Sequence, residues 1–320
     1  MELRKKKNRK WKRWALMMLA GVSLLAACQS AGSSTRIADN SQLKVVTTIA
    51  QIAEPMSVIG GDRIRVESLM GPGVDPHLYT ATQGDIGKLD SSDVIFYNGL
   101  HLEANMLKVF EELGKSRPVL AIGEAVNAEQ LLKDEEGAID PHIWFDIDLW
   151  KQALAAATEV LKQASPEDAE YFESNKEAYF RQMDELKLEA AAKLSQIPKE
   201  KRVLVTAHDA FGYFGRMYDI QVVGLQGLST EDEVSLSDIE ETVKLLVDYQ
   251  VPAVFIESSI NPDSIQAVIE GAKKAGLTVS LGGELFSDAM GDAGTEEGTY
   301  LGMYRHNVNT IFVALNGGEG

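Results

Sequence analysis

The stretch from Ser165 to Pro198 limits the possible folds more than any other part of the chain. Ser165-Pro166-Glu167-Asp168 reads as a helix start, with Ser at the cap, Pro in the first turn and two acids at the positive end of the dipole. Apolar residues then recur at Phe172, Tyr179, Met183, Leu186, Ala190, Leu194 and Ile197. The spacing is seven, then threes and fours, so one stripe runs on to Pro198. About 30 helical residues would make a rod of ~45 Å. That is long for a helix inside one compact domain. The segment reads as a stiff connector lying across two lobes.

The flanking sequence repeats one pattern on either side of that connector. Before it, the strand-like runs are Leu43–Ile49, Ile64–Leu69, Val94–Tyr97 and Val119–Ile122. Helical stretches fall at Ile52–Ile59, Thr82–Asp90, Leu102–Leu113 and Asp146–Ala164. After it, strands are expected at Val203–Thr206, Val222–Leu225, Val254–Glu257 and Leu277–Leu281. A capping box at Ser237-Asp238-Ile239-Glu240 opens a helix to about Tyr249; others cover Asp263–Ala275 and Thr299–Leu315. Strands alternating with helices imply an α/β fold with parallel sheets. The expected division is a first lobe over 43–164, the linking helix over 165–198 and a second, similar lobe over 199–320.

The first 27 residues read as a secretory signal. A basic head from Arg4 to Arg13 precedes an apolar core, Trp14–Ala27, which is short for a membrane span. Leu25-Ala26-Ala27-Cys28 matches the bacterial lipobox, whose cysteine becomes the lipidated N-terminus. Cys28 is the only cysteine, so no disulfide forms within the chain. Residues 28–42 are rich in Ser, Ala, Asn and Gly and read as a tether. An exported protein, lipid-anchored at the outer face of the cytoplasmic membrane, is implied. The formal charge of the whole chain is −17, and loss of the basic head leaves the remainder more acidic, which disfavours nucleic acid.

Two loops carry the same tripeptide. Gly71-Pro72-Gly73-Val74-Asp75-Pro76-His77 follows the second strand, and Asp140-Pro141-His142 returns 65 residues later. Proline fixes φ and glycine permits a tight turn, so each loop can hold one imidazole in a set direction. Either loop alone would pass for an ordinary turn, but the chain has only five histidines, and a metal ion is the simplest partner for several of them. The second lobe repeats the placement: His208 ends the run Val203–Thr206, and Asp288 lies in the loop Leu285–Gly291. Ligands of open α/β sheets gather at the carboxyl ends of strands. His77 and His142 from one lobe, with His208 and Asp288 from the other, would therefore face a shared crevice.

The strings Gly71–Tyr79, Asp140–Phe145, Val205–Tyr213, Val254–Ser259 and Leu285–Gly291 resemble the metal-binding solute-binding lipoproteins of bacterial manganese/zinc ABC importers, the cluster A-I type. The resemblance runs from about residue 43 to 316. It implies two α/β lobes bridged by a long helix and no catalysis. It places the metal ligands on His77, His142, His208 and Asp288. Many manganese binders of the family have Glu where this chain has His208. Glu257 matches a family string without being a ligand there, and is expected to sit behind the ligands. His101 is expected at a helix start on the surface, and His306 packed within the last helix. Zinc importers of the family carry a histidine-rich loop, whereas Ala128–Ile139 is short, acidic and free of histidine. Mn2+ is therefore the expected ion, with Zn2+ the alternative. The implied partners are an ABC permease with its ATPase, and the membrane through the lipid on Cys28; the protein itself is expected to be a monomer. A metallohydrolase, with Glu257 as base, and a surface adhesin are the rival readings. Three imidazole ligands would make affinity fall as pH drops through roughly 6.5.

Overall fold

The computed structural model describes residues 42–317. The signal segment, Cys28 and the tether up to Ser41 lie outside the described residues. In the first lobe, strand β1 (Leu43–Thr47) leads into helix α1 (Ala50–Gly60) and strand β2 (Ile64–Ser68). Helix α2 (Gln83–Asp90), strand β3 (Val94–Tyr97), helix α3 (Leu107–Leu113) and strand β4 (Val119–Ala121) follow. The strands form one parallel sheet in the order β2-β1-β3-β4. Val45 of β1 is paired with Val66 on one side and Val94 on the other. Val94, Ile95 and Phe96 are fully buried, as an inner strand covered on both faces requires.

Helix α4 (Ile147–Ala164) starts at Asp146, whose Oδ1 accepts from the backbone N–H groups of Asp148 and Leu149, both at 3.1 Å. Helix α5 (Ala169–Leu194) is the long connector. Its 26 residues give it a length of ~39 Å, shorter than the expected rod. Pro166–Asp168 forms a 3₁₀ turn ahead of it, and Ser165 bonds the Asp168 carboxylate at 2.7 Å instead of capping the backbone. The stripe behaves as its spacing implies: Phe172, Tyr179, Met183, Leu186, Ala190 and Leu194 are all buried.

The second lobe runs β5 (Val203–His208), α6 (Gly212–Tyr218), β6 (Gln221–Gln226), α7 (Leu236–Tyr249) and β7 (Ala253–Glu257). Helix α8 (Asp263–Lys274), strand β8 (Ser280–Leu285) and helix α9 (Tyr300–Asn316) complete it. Strands β5 and β6 pair in parallel, as do β7 and β8, and β5 packs beside β7.

Three local expectations need correction. The cap of α7 is Ser235, which forms a reciprocal box with Asp238, not Ser237 with Glu240. The helix expected from Leu102 begins only at Leu107: after Leu100 and His101, with left-handed φ of 55° and 69°, Glu103 at φ −100° and ψ 49° is not helical, and Ala104–Met106 is a 3₁₀ turn. The last strand sits later than Leu277–Leu281: Leu277-Thr278-Val279 is loop, β8 runs from Ser280 to Leu285, and its pairing with β7 is interrupted by an irregularity at Gly282 and Gly283 before it resumes at Glu284. A Cβ on Gly282 would meet Phe255 at 2.6 Å, so the glycines serve close packing and not a chain break.

The apolar core does not divide where the chain crosses from one lobe to the other. One cluster joins Val45, Phe96, Trp150, Tyr179 and Leu194 to Phe211, Phe214, Tyr304 and Leu315; a smaller one lies around β5, α7 and α8. Helix α5 packs on α1 and α4 on one side and on α9 on the other. Glu54 of α1 ties the three together, its Oε2 accepting from the Tyr179 hydroxyl and from the Tyr300 N–H, each at 3.0 Å.

Candidate metal centre

Each Asp-Pro-His loop is built by one folded-back carboxylate. Asp75 Oδ1 accepts the N–H of His77 at 2.9 Å, and Asp140 Oδ1 accepts that of His142 at 2.9 Å. The proline between them removes a competing donor and fixes the turn. The two copies then diverge. Asp140 Oδ1 also lies 2.7 Å from His142 Nδ1, which turns Nε2 of that ring inward. Asp75 spends its second oxygen on the Thr230 hydroxyl of the other lobe, at 2.6 Å.

His208 is the last residue of β5, and its backbone N–H donates to Glu257 Oε1 at 2.8 Å. Its Nδ1 lies 2.6 Å from Glu257 Oε2, leaving Nε2 to face Asp288. Both oxygens of Asp288 meet imidazole nitrogens: Oδ1 is 3.3 Å from His142 Nε2, and Oδ2 is 3.2 Å from His208 Nε2 and 3.5 Å from His77 Nε2. One ligand-type atom from each of His77, His142, His208 and Asp288 lies within 4.8 Å of all the others. The four residues are 4%, 0%, 0% and 2% exposed. The ring of His208 stands edge-on to both other imidazoles, at 71° and 83°, as rings do when their nitrogens point to a common centre.

Burial and charge oppose each other here. Burial would depress all three imidazoles, and for His77 it prevails, lowering it to about 4. For His142 burial is outweighed by the Asp288 carboxylate with Asp140, which lift it to about 9. His208 is held well above the ordinary histidine value by Glu257 and Asp288 against the same burial. Burial would raise Asp288, but His208 and His142 pull it well below the usual carboxylate range. Both Asp288 oxygens and His208 Nε2 are nevertheless buried without a hydrogen bond of good geometry. Orphaned donor atoms of this kind are costly unless a cation sits among them.

The other residues singled out in the sequence stand apart. Glu257 backs His208 with both oxygens and is outside the group of four. Removing its charge should loosen the orientation of that ring. Glu257→Gln is expected to weaken metal binding about 10- to 100-fold with the fold retained, as read by competition with a chelator of known affinity. His101 is exposed in a turn and caps nothing. His306 lies against Phe286 and pairs with the Glu284 carbonyl at 3.0 Å.

The groups that hold the loops in place carry no motif that marks them in the sequence. Hydroxyls of Tyr213, Tyr300 and Tyr304 donate to the carbonyls of Asp140, Trp144 and Phe145 at 2.9, 2.8 and 3.0 Å. Gln51 Nε2 and Trp144 Nε1 both donate to the Ser287 carbonyl, at 3.0 and 3.1 Å. The pair Tyr300 and Tyr304, one turn apart on α9, was the only hint available.

This fold and centre define a class of two-lobed α/β proteins that can hold a metal ion, and comparison with known proteins identifies that class as the extracytoplasmic metal-binding components of ABC importers, which are not enzymes. Residues 45–314 match the family described as zinc-uptake complex component A, periplasmic, and the chain belongs to that family. It is 48% identical over 287 residues to the manganese-binding lipoprotein MntA of Bacillus subtilis (strain 168), covering 89% of this chain and 92% of that protein. It is 47% identical over 301 residues to the zinc-binding protein TroA of Treponema pallidum (strain Nichols), covering 94% and 96%. The solved structure of the latter superposes with a TM-score of 0.84 over 86% of this chain and 99% of that one. Among the described residues no helix is long and apolar enough to cross a membrane.

Proposed function

We propose that this protein captures a divalent transition-metal ion, Mn2+ in the first place, on His77, His142, His208 and Asp288 and delivers it to an ABC permease driven by a cytoplasmic ATPase. The reading rests on one observation, the convergence of those four buried side chains from both lobes to within 4.8 Å of one another. A lipid on Cys28 would keep the protein near that permease, and a single chain suffices to build the site.

The choice of manganese rests on the donor set. Both Asp288 oxygens face the imidazole nitrogens, so the site offers five donor atoms, more than the tetrahedron zinc prefers. The acidic, histidine-free stretch Ala128–Ile139 points the same way. Zinc is the second reading, because a nitrogen-rich set binds it more tightly than manganese and one of the two similar relatives is named for zinc. Affinity alone therefore does not name the cargo. Elemental analysis of protein purified from its native membrane, with no metal added, is expected to find a single manganese ion per chain. Zinc at that stoichiometry would overturn the choice of ion and keep the site. Neither metal would overturn both.

A further inference from the structure

The four loops that meet at the centre are not held alike. His142 lies in a segment clamped from the second lobe by three tyrosine hydroxyls, with Arg216 Nη2 bonding the Asp146 carboxylate at 2.8 Å just beyond. Asp288 follows a carbonyl held by two first-lobe donors. His208 is part of β5, paired with Gln226 of β6 and backed by Glu257. His77 differs. Its loop is exposed at Gly71, Pro72, Gly73, Leu78 and Thr80. Within its own lobe it is held by Asn105 Nδ2, which donates to the His77 carbonyl at 3.1 Å, and by the Tyr79 hydroxyl, which donates to Asp85 Oδ2 at 2.7 Å.

Across the crevice, and apart from the contact of His77 with Asp288, a single side-chain hydrogen bond ties this loop to the second lobe among the described residues. It runs from the Thr230 hydroxyl to Asp75 Oδ2 at 2.6 Å. The other oxygen of the same carboxylate accepts the N–H of His77. One side chain thus couples the backbone direction of His77 to the position of Thr230. Among the described residues no ion pair engages Asp75, and a short hydrogen bond to a carboxylate is among the stronger ones. Asp75 and Thr230 also line a shared cavity of about 390 Å³, together with Leu78, Gln226, Ser259 and Asn261, so there is space beside the pair for the loop to move.

We propose that Thr230 is a positioning residue for ion exchange: its hydrogen bond to Asp75 latches His77 onto the ion, and breaking that bond is the first step of release. The inference rests on the reading of the centre as a cargo site. A bound ion sheds its ligands one at a time, and the ligand on the least anchored loop leaves first. The clamps on His142 and Asp288 keep those residues in place while His77 swings.

The test is release kinetics. The full chain is loaded with Zn2+, mixed in a stopped-flow instrument with an excess of a chromogenic chelator, and the experiment is repeated with Mn2+. Thr230→Val keeps the volume and removes the hydroxyl, and release should be about tenfold faster. Thr230→Ser restores the donor and should release near the wild-type rate. The metal-free Val variant should keep a cooperative melt within a few degrees of the wild type, since one hydrogen bond is lost and no packing. Wild-type release from Thr230→Val, or release from Thr230→Ser as fast as from Val, would each overturn the latch, as would loss of the cooperative melt in metal-free Val, which would make faster release a loss of fold. Failure of the wild type to load either ion would overturn the cargo reading itself, and the latch with it.

Discussion

Asp288→Asn is expected to lower the affinity for Mn2+ and for Zn2+ by at least about 100-fold, since removing one member of a buried charged set costs several kcal/mol. The substitution keeps the volume and removes the one carboxylate among the described residues that faces all three imidazoles. It also removes the main charge that raises His142 and one of the two that raise His208, the other being Glu257. His101→Ala, at an exposed turn, should bind as the wild type does. Calorimetric titration of the three proteins decides the matter. Affinity of Asp288→Asn within threefold of wild type would place the cation elsewhere.

A second large effect concerns protons. An ion binds neutral imidazole, so every proton held by the empty site competes with it. His77, lowered to about 4, carries none near neutrality. His142, raised to about 9, and His208, raised well above its ordinary value, each carry one. Metal uptake at pH 7 should therefore release about two protons per ion, and affinity should change about 100-fold per pH unit. The sign follows from the direction of the shifts: a raised group holds its proton to higher pH, so affinity keeps climbing through neutrality towards pH 9. A window near 6.5, expected from free histidine, is moved upward by Asp288, Asp140 and Glu257. Calorimetry in buffers of different ionisation enthalpy reads the proton count directly. Heats that do not depend on the buffer, or equal affinities at pH 6.5 and 8.5, would contradict the arrangement.

Much of this protein was legible before folding. The α5 stripe, buried at six positions along the helix, follows from a 3.6-residue period that the sequence displays openly. The parallel β-α order follows from β-branched runs separated by helix formers. The two Asp-Pro-His strings fold by local chemistry alone, each aspartate bonding the N–H two residues on. Misreadings cluster where a short-range rule was overridden. Ser235, not Ser237, caps α7, because its hydroxyl and the Asp238 carboxylate satisfy each other's backbone N–H groups two residues ahead of the expected start. Gly282 stays in a strand because Phe255 and Ala314 need the space a side chain would fill, and Gly283 because Thr310 crowds it and its φ is 134°.

The identity of the chemistry-bearing residues and the loops that carry them were properties of the sequence, since strand ends and Asp-Pro-His turns are written within a few neighbours. Their meeting was not. Asp140 and Tyr213, Ser287 and Gln51, Asp75 and Thr230 lie 73, 236 and 155 residues apart, and no local pattern links them. Only packing across the continuous core brings each loop under the donors of the opposite lobe. The raised histidines, the orphaned Asp288 oxygens and the single bond on the His77 loop exist because of that packing, as burial and charge act through space and not along the chain.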